Sequence, residues 1–177
     1  MWSTIGLMSI EHALAHPQTT VLGPDDGSHF EFLNNRATVK LAGAASKTMS
    51  VVEFLAPRGF GPPQHRHNSE DELFFVLEGS LRFFTGDEEI DGPEGSFAFL
   101  PHSVPHSFQV MSDSARLINV TASVNGAPKF DSMVTALGVP TDRLGLPEPG
   151  PIDPGEVAEV CAAHDIDIVG PPPPPLP

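Results

Sequence analysis

Basic side chains are scarce in this chain: 9 Lys and Arg stand against 23 Asp and Glu in 177 residues, a formal charge of −14. A surface that negative repels phosphate backbones and anionic lipid, so neither nucleic acid nor membrane is an expected partner. Cysteine is almost missing. Cys161 alone rules out an internal disulfide framework and suits a reducing cytoplasm. No apolar run is long enough for a membrane span, and the N-terminus lacks the basic region of a secretory signal. Met8 is an alternative start, which would make residues 1–7 an extension. Tyrosine is absent while Phe occurs 12 times, so a cavity lined by these rings would be apolar and bring no phenol hydroxyls.

What remains is a globular composition, 40% apolar and 18% charged, at a length that favours one domain with a real core. Between Thr19 and Val124 short apolar segments alternate with turn signals. They predict strands at His29–Leu33, Ala37–Leu41, Thr48–Leu55, Glu72–Leu77, Ser80–Phe84, Ser96–Leu100, Pro105–Val110 and Ala115–Thr121. Many short strands at close spacing argue for an all-β sandwich or barrel. Beyond Val124 the period becomes helical. Phe130, Met133, Val134 and Leu137 form one stripe. A second helix opens on Asp153 as N-cap, with Pro154 at the first position and Glu156 completing a capping box. The expected organisation is an extension over 1–18, a barrel over 19–125, a helical extension over 126–170 packed outside it, and a proline-rich tail over 171–177. The tail is read as polyproline II, a spacer or a frayed end.

The most informative stretch runs from Gly59 to Gly79. His65 and His67 stand two apart, which on a strand aims both imidazoles at one point. Glu72 follows, and His106 lies downstream after Pro101. Three imidazoles and one carboxylate suit a single Fe, Mn, Co, Ni or Cu ion with coordination positions to spare. Parity carries the argument further. If Glu72 points inward, so do Phe74 and Val76, and if His106 does, so does Phe108. These residues, together with Phe99, are the expected wall of a substrate pocket. Neighbouring candidates have blander readings. Glu70 reads as solvated, Asp71 as facing away from Glu72, Arg66 as a surface or dimer-contact residue, and His102 as a loop residue. His12, His16, His29 and His164 have no partner spacing, and Cys161 reads as a small buried hydrophobe.

The spacing Gly59-x5-His65-x-His67-x4-Glu72-x6-Gly79 resembles the first motif of the cupin superfamily at every defining position. The second motif maps onto Gly95, Pro101 and His106, with Ser103 at its Gly position and Val110 at its Asn position. Over residues 40–125 the resemblance implies a jelly-roll β-barrel holding one divalent metal on His65, His67, Glu72 and His106. A weaker likeness, to single-domain bacterial quercetinases, implies a dioxygenase. In that reading a flavonol-like or related aromatic enol and O2 are the reactants, and the heterocycle opens with loss of carbon monoxide. Glu72 would be both ligand and general base. The resemblance also implies a homodimer, with residues before Thr48 as candidate strands across the contact. The same ligands would serve a non-oxidative isomerase, cyclase or lyase, or a small-molecule-binding protein without turnover.

Overall fold

The computed structural model describes residues 19–123 and 125–176, so His12, His16 and Met8 lie outside the described residues. Two antiparallel sheets face each other. The larger has the order β11-β1-β2-β3-β10-β5-β8, built from β1 (Ser28–Phe32), β2 (Asn35–Leu41), β3 (Met49–Pro57), β5 (Glu70–Glu78), β8 (Phe97–Leu100), β10 (Ser114–Ser123) and β11 (Val139–Pro140). The smaller runs β12-β4-β9-β6-β7, from β4 (His65–His67), β6 (Ser80–Thr85), β7 (Glu88–Pro93), β9 (His106–Val110) and β12 (Ile166–Ile168). The chain is a two-sheet jelly roll, the form the cupin resemblance implies for the all-β sandwich or barrel that the short strands predict.

Alternation fixes which side chains enter the space between the sheets. On β5, Glu72, Phe74 and Val76 are buried while Phe75 is about half exposed. The register sets Glu72 opposite Thr121, and Phe74 opposite Asn119, so the inward rows of β5 and β10 coincide. Phe54, Leu81, Phe83, Phe108 and Leu117 fill the layer between. Each such side chain contributes about 1.5–3 kcal/mol when withdrawn from water. A sharp corner joins β5 to β6 at Gly79, which has a φ of +81° and would drive a Cβ into the Ser114 carbonyl. Ser103, standing at a motif glycine position, adopts the same left-handed region at +66° and is held there by its N–H donating to the His67 carbonyl at 2.6 Å.

Strand β1 pairs with β2, and β2 with β3, inside this chain. The helices α2 (Phe130–Leu137) and α3 (Pro154–Ala163) form where the apolar stripes predict them, with a one-turn helix α1 (Gly43–Ser46) earlier in the chain. Asp153 caps α3 by accepting from the N–H groups of Gly155 at 2.8 Å and Glu156 at 3.4 Å. Both helices sit outside the sheets, and their buried faces, Phe130, Met133, Val157 and Cys161, close over the interior. After α3 the chain returns as β12 and pairs with β4, Ile166 opposite His67 and Ile168 opposite His65.

The proline segment is neither frayed nor a free spacer over 171–174. The Pro171 carbonyl accepts from the Gln64 N–H at 3.1 Å, and the Pro174 carbonyl accepts from Gln109 Nε2 at 2.8 Å. Polyproline carbonyls remain free to accept because the segment makes no internal hydrogen bonds. Covered in this way, β9 is buried on both faces.

Candidate metal centre

Three strands converge on one point. His65 and His67 project from β4, His106 lies directly across from His65 on β9, and Glu72 enters from β5 in the opposite sheet. All four are buried. One nitrogen or oxygen from each lies within 4.8 Å of the others, a set that can hold a metal ion. Backbone carbonyls orient two of the rings. His65 Nδ1 donates to the Pro63 carbonyl at 2.9 Å and His106 Nδ1 to the Val104 carbonyl at 2.9 Å. A carbonyl only accepts, so these bonds place a proton on Nδ1 and leave Nε2 to face the centre.

His67 is held differently. Its Nδ1 lies 3.5 Å from Glu70 Oε2, longer than a well-formed hydrogen bond. Neither ring nitrogen of His67 has a hydrogen-bond partner, although both are fully buried. An orphaned buried imidazole nitrogen beside two other imidazoles and a carboxylate is the donor set a divalent transition metal satisfies. The residues present therefore fit such an ion.

Burial and mutual charge set the protonation pattern of the metal-free cluster. For His65, burial is the main cause and the neighbouring His106 charge adds to it, bringing its pKa down to about 4. Burial acts the same way on His67, but the carboxylates of Glu72 and Glu70 outweigh it and hold that pKa above the ordinary value. For Glu72, burial alone would raise the pKa. The charge on His67 and the hydrogen bond and charge of His106 reverse the sign and bring it to about 2. At neutral pH Glu72 is thus a carboxylate. Its Oε2 lies 3.0 Å from His106 Nε2, and its Oε1 accepts from Asn119 Nδ2 at 2.7 Å.

Glu72 and His65 also form the polar floor of an apolar cavity of about 80 Å³. The rest of the wall is Phe32, Leu33, Phe54, Phe60, Phe74, Phe108, Phe130, Met133, Val157, Cys161, Ile166 and Ile168, with Pro62 and Pro63. Two residues assigned to a pocket by sequence lie elsewhere. Val76 is buried in the core beyond the cavity wall. Phe99 pairs opposite Leu73 and not opposite an inward residue, so it stands more than half exposed on the outer face. The reason is parity, since it is Leu100 of β8 that faces Glu72.

Glu70 corrects the sequence reading as well. It is buried, not solvated, because the Lys129 N–H at the start of α2 donates to its Oε1. Its spacing of three from His67 was the available signal. Asn119 was legible as the amide in the inward row of β10, Ala115, Leu117, Asn119 and Thr121. Arg66 turns outward and pairs with Asp167 at 2.9 Å within the chain. Asp71 accepts from the His102 ring and N–H at the surface, away from Glu72. His29 bonds Thr38 and Asp25, His164 bonds the Val160 carbonyl, and none of these histidines reaches the centre.

Residues 51–121 match the model of the cupin domain family. Over that span the match supports a cupin superfamily member. The chain is 27% identical over 128 residues to the quercetin 2,3-dioxygenase of Bacillus subtilis, an alignment spanning 72% of this chain and 37% of that enzyme. Among solved structures, a predicted oxalate decarboxylase of Thermotoga maritima superposes with a TM-score of 0.55 at 16% identity. It covers 59% of this chain and all of its own length. A polyketide cyclase of Streptomyces resistomycificus gives 0.52 at 19% identity, covering 63% and 83% of the two chains. At such identities these structures establish the jelly-roll fold. No helix among the described residues is long and apolar enough to cross a membrane.

Proposed function

We propose that His65, His67, Glu72 and His106 hold one divalent transition metal, Fe, Mn, Co, Ni or Cu, and that the protein is a quercetinase-like dioxygenase for an aromatic enol with a vicinal hydroxyl and ketone. The observation that carries the reading is that Glu72 belongs to two environments at once. It sits among the three imidazoles and also faces the greasy cavity. When bound, the metal would supply a Lewis-acid site for the substrate oxygens and for O2.

The protein residues do the rest. The apolar wall excludes water from the reacting end and strengthens each charge interaction there. Asn119 fixes the Glu72 carboxylate from behind through Oε1. Glu72 takes the hydroxyl proton of the enol as it enters, the task of a general base within reach of that proton. Among the described residues, two polar side chains, His65 and Glu72, meet the cavity. One base and no separate acid suit the removal of a single proton better than the paired proton transfers of an isomerase or lyase. The single buried Cys161 is compatible with a reducing cytoplasm. We also propose a homodimer, formed through the apolar outer face around Phe75, Phe97 and Phe99.

The test is oxygen uptake by protein reconstituted in turn with Fe, Mn, Co and Ni and supplied with 3-hydroxyflavone and 3-hydroxy-4-pyranones. Uptake with at least one metal supports the dioxygenase reading, and none with any metal removes it. Elemental analysis of Glu72→Ala separates the metal site from the chemistry, since loss of the bound equivalent supports the ligand set.

A further inference from the structure

The matched cupin core, residues 51–121, supplies only part of the cavity wall. Phe32 and Leu33 come from before it, and Phe130, Met133, Val157, Cys161, Ile166 and Ile168 from after it. Those flanking segments decide how much room is left. The cavity measures about 80 Å³. An engineered protein cavity of roughly 150 Å³ lined by similar side chains admits benzene. At about half that volume the enclosed part takes no more than one ring, and a three-ring skeleton must extend through the cavity's open side.

Polarity narrows the ligand independently of size. Every wall residue other than His65 and Glu72 is apolar. A hydroxyl carried into that wall would give up its water and find no partner, a cost that an unsubstituted ring edge does not incur. Polar groups of the ligand must consequently gather at the one end that meets Glu72.

We infer that this enzyme selects a compact, one-ring hydroxyketone whose oxygens all lie on one edge, and that the α2 and α3 side chains Met133 and Cys161 enforce the size limit. This rests on the enol reading above and specifies its substrate class. A polyhydroxylated flavonol violates both conditions, because it is too long for the cavity and carries hydroxyls on its far rings. Such a flavonol is accepted only if its far rings project from the open side or the helical extension moves aside.

The experiment is an anaerobic absorbance titration of the cobalt-loaded full-length protein with maltol, 3-hydroxyflavone and quercetin, which share one chelating head and differ in size and hydroxylation. Binding is expected in that order, with maltol at least about ten-fold tighter than quercetin, the scale on which apolar pockets discriminate. In Met133→Ala the ratio of 3-hydroxyflavone to maltol affinity is expected to rise about ten-fold, since the truncation opens space beside α2. Cys161→Gly is the second variant should Met133→Ala fail to fold, and it is expected to move the same ratio in the same direction. Quercetin binding as tightly as maltol, or a ratio unmoved in the folded variant, overturns the size limit and leaves the enol reading standing. If none of the three compounds perturbs the spectrum while cobalt is bound stoichiometrically, the enol reading itself falls and this inference with it.

Discussion

Replacing Glu70 by Gln tests how the centre is built. Two donors converge on this buried carboxylate, the Lys129 N–H on Oε1 and His67 Nδ1 facing Oε2 from 3.5 Å. A carboxylate is acceptor-only and serves both. An amide has one oxygen and must turn its NH2 toward one of the two donors. If the amide oxygen stays with Lys129, the NH2 confronts His67 Nδ1, and the carboxylate oxygen that faces that ring from 3.5 Å is replaced by a donor. Leaving a buried donor unsatisfied costs about 1–3 kcal/mol. Losing a carboxylate behind a ligating histidine typically weakens metal binding by about 10–100-fold. The two scales agree. The expected result is a cobalt affinity lowered by that factor in competition with a chromophoric chelator, with a shifted ligand-field spectrum and a lowered melting temperature in the metal-free state. Glu70→Asp should recover part of the affinity. A Glu70→Gln protein with wild-type affinity and an identical cobalt spectrum would refute the orienting role.

The metal-free protein should lose stability in acid in two stages. His65 is held from 6.5 down to about 4, so its contribution is lost as pH falls between those values. Glu72 is held from 4.5 down to about 2, so its share is present above 4.5 and disappears below it. His67 is shifted the other way, and its share is complete below 6.5 and is lost as pH rises through its higher folded value. Melting curves by circular dichroism check this, and a melting temperature flat between pH 6.5 and 4 would contradict it. Gly79→Ala should cost at least about 1–3 kcal/mol from the left-handed backbone, with the collision against Ser114 added; an unaltered melt would argue against it. Phe97→Asp should convert the proposed dimer to monomer in light scattering with the fold retained, and a wild-type mass at all concentrations would deny that face its role.

The sequence made the motif legible because its geometry is local. His65 and His67 share a strand face, Glu72 and Phe74 share another, and each inference needed only a period of two. The same period misled at Phe99, where the strand was recognised but its phase relative to Glu72 was not fixed. That phase is set by pairing with Leu73 across the sheet. Glu70 and the polyproline segment were misread for a different reason. Their partners, Lys129 for one and Gln64 and Gln109 for the other, lie far along the chain. β7, with its run of exposed charges, and β12, only three residues long, carry too little alternation to announce themselves. The helices were found, but their position over the cavity depends on contacts that no local pattern encodes.

The strand that bears His65 and His67 is flanked on one side by Ile166–Ile168, and the Arg66–Asp167 pair joining them spans 101 residues of sequence. During synthesis these histidines emerge well before the segment that fastens their strand. Capture of the proposed ion would thereby follow the return of the distal polypeptide, whose pairing with β4 holds the imidazoles in alignment.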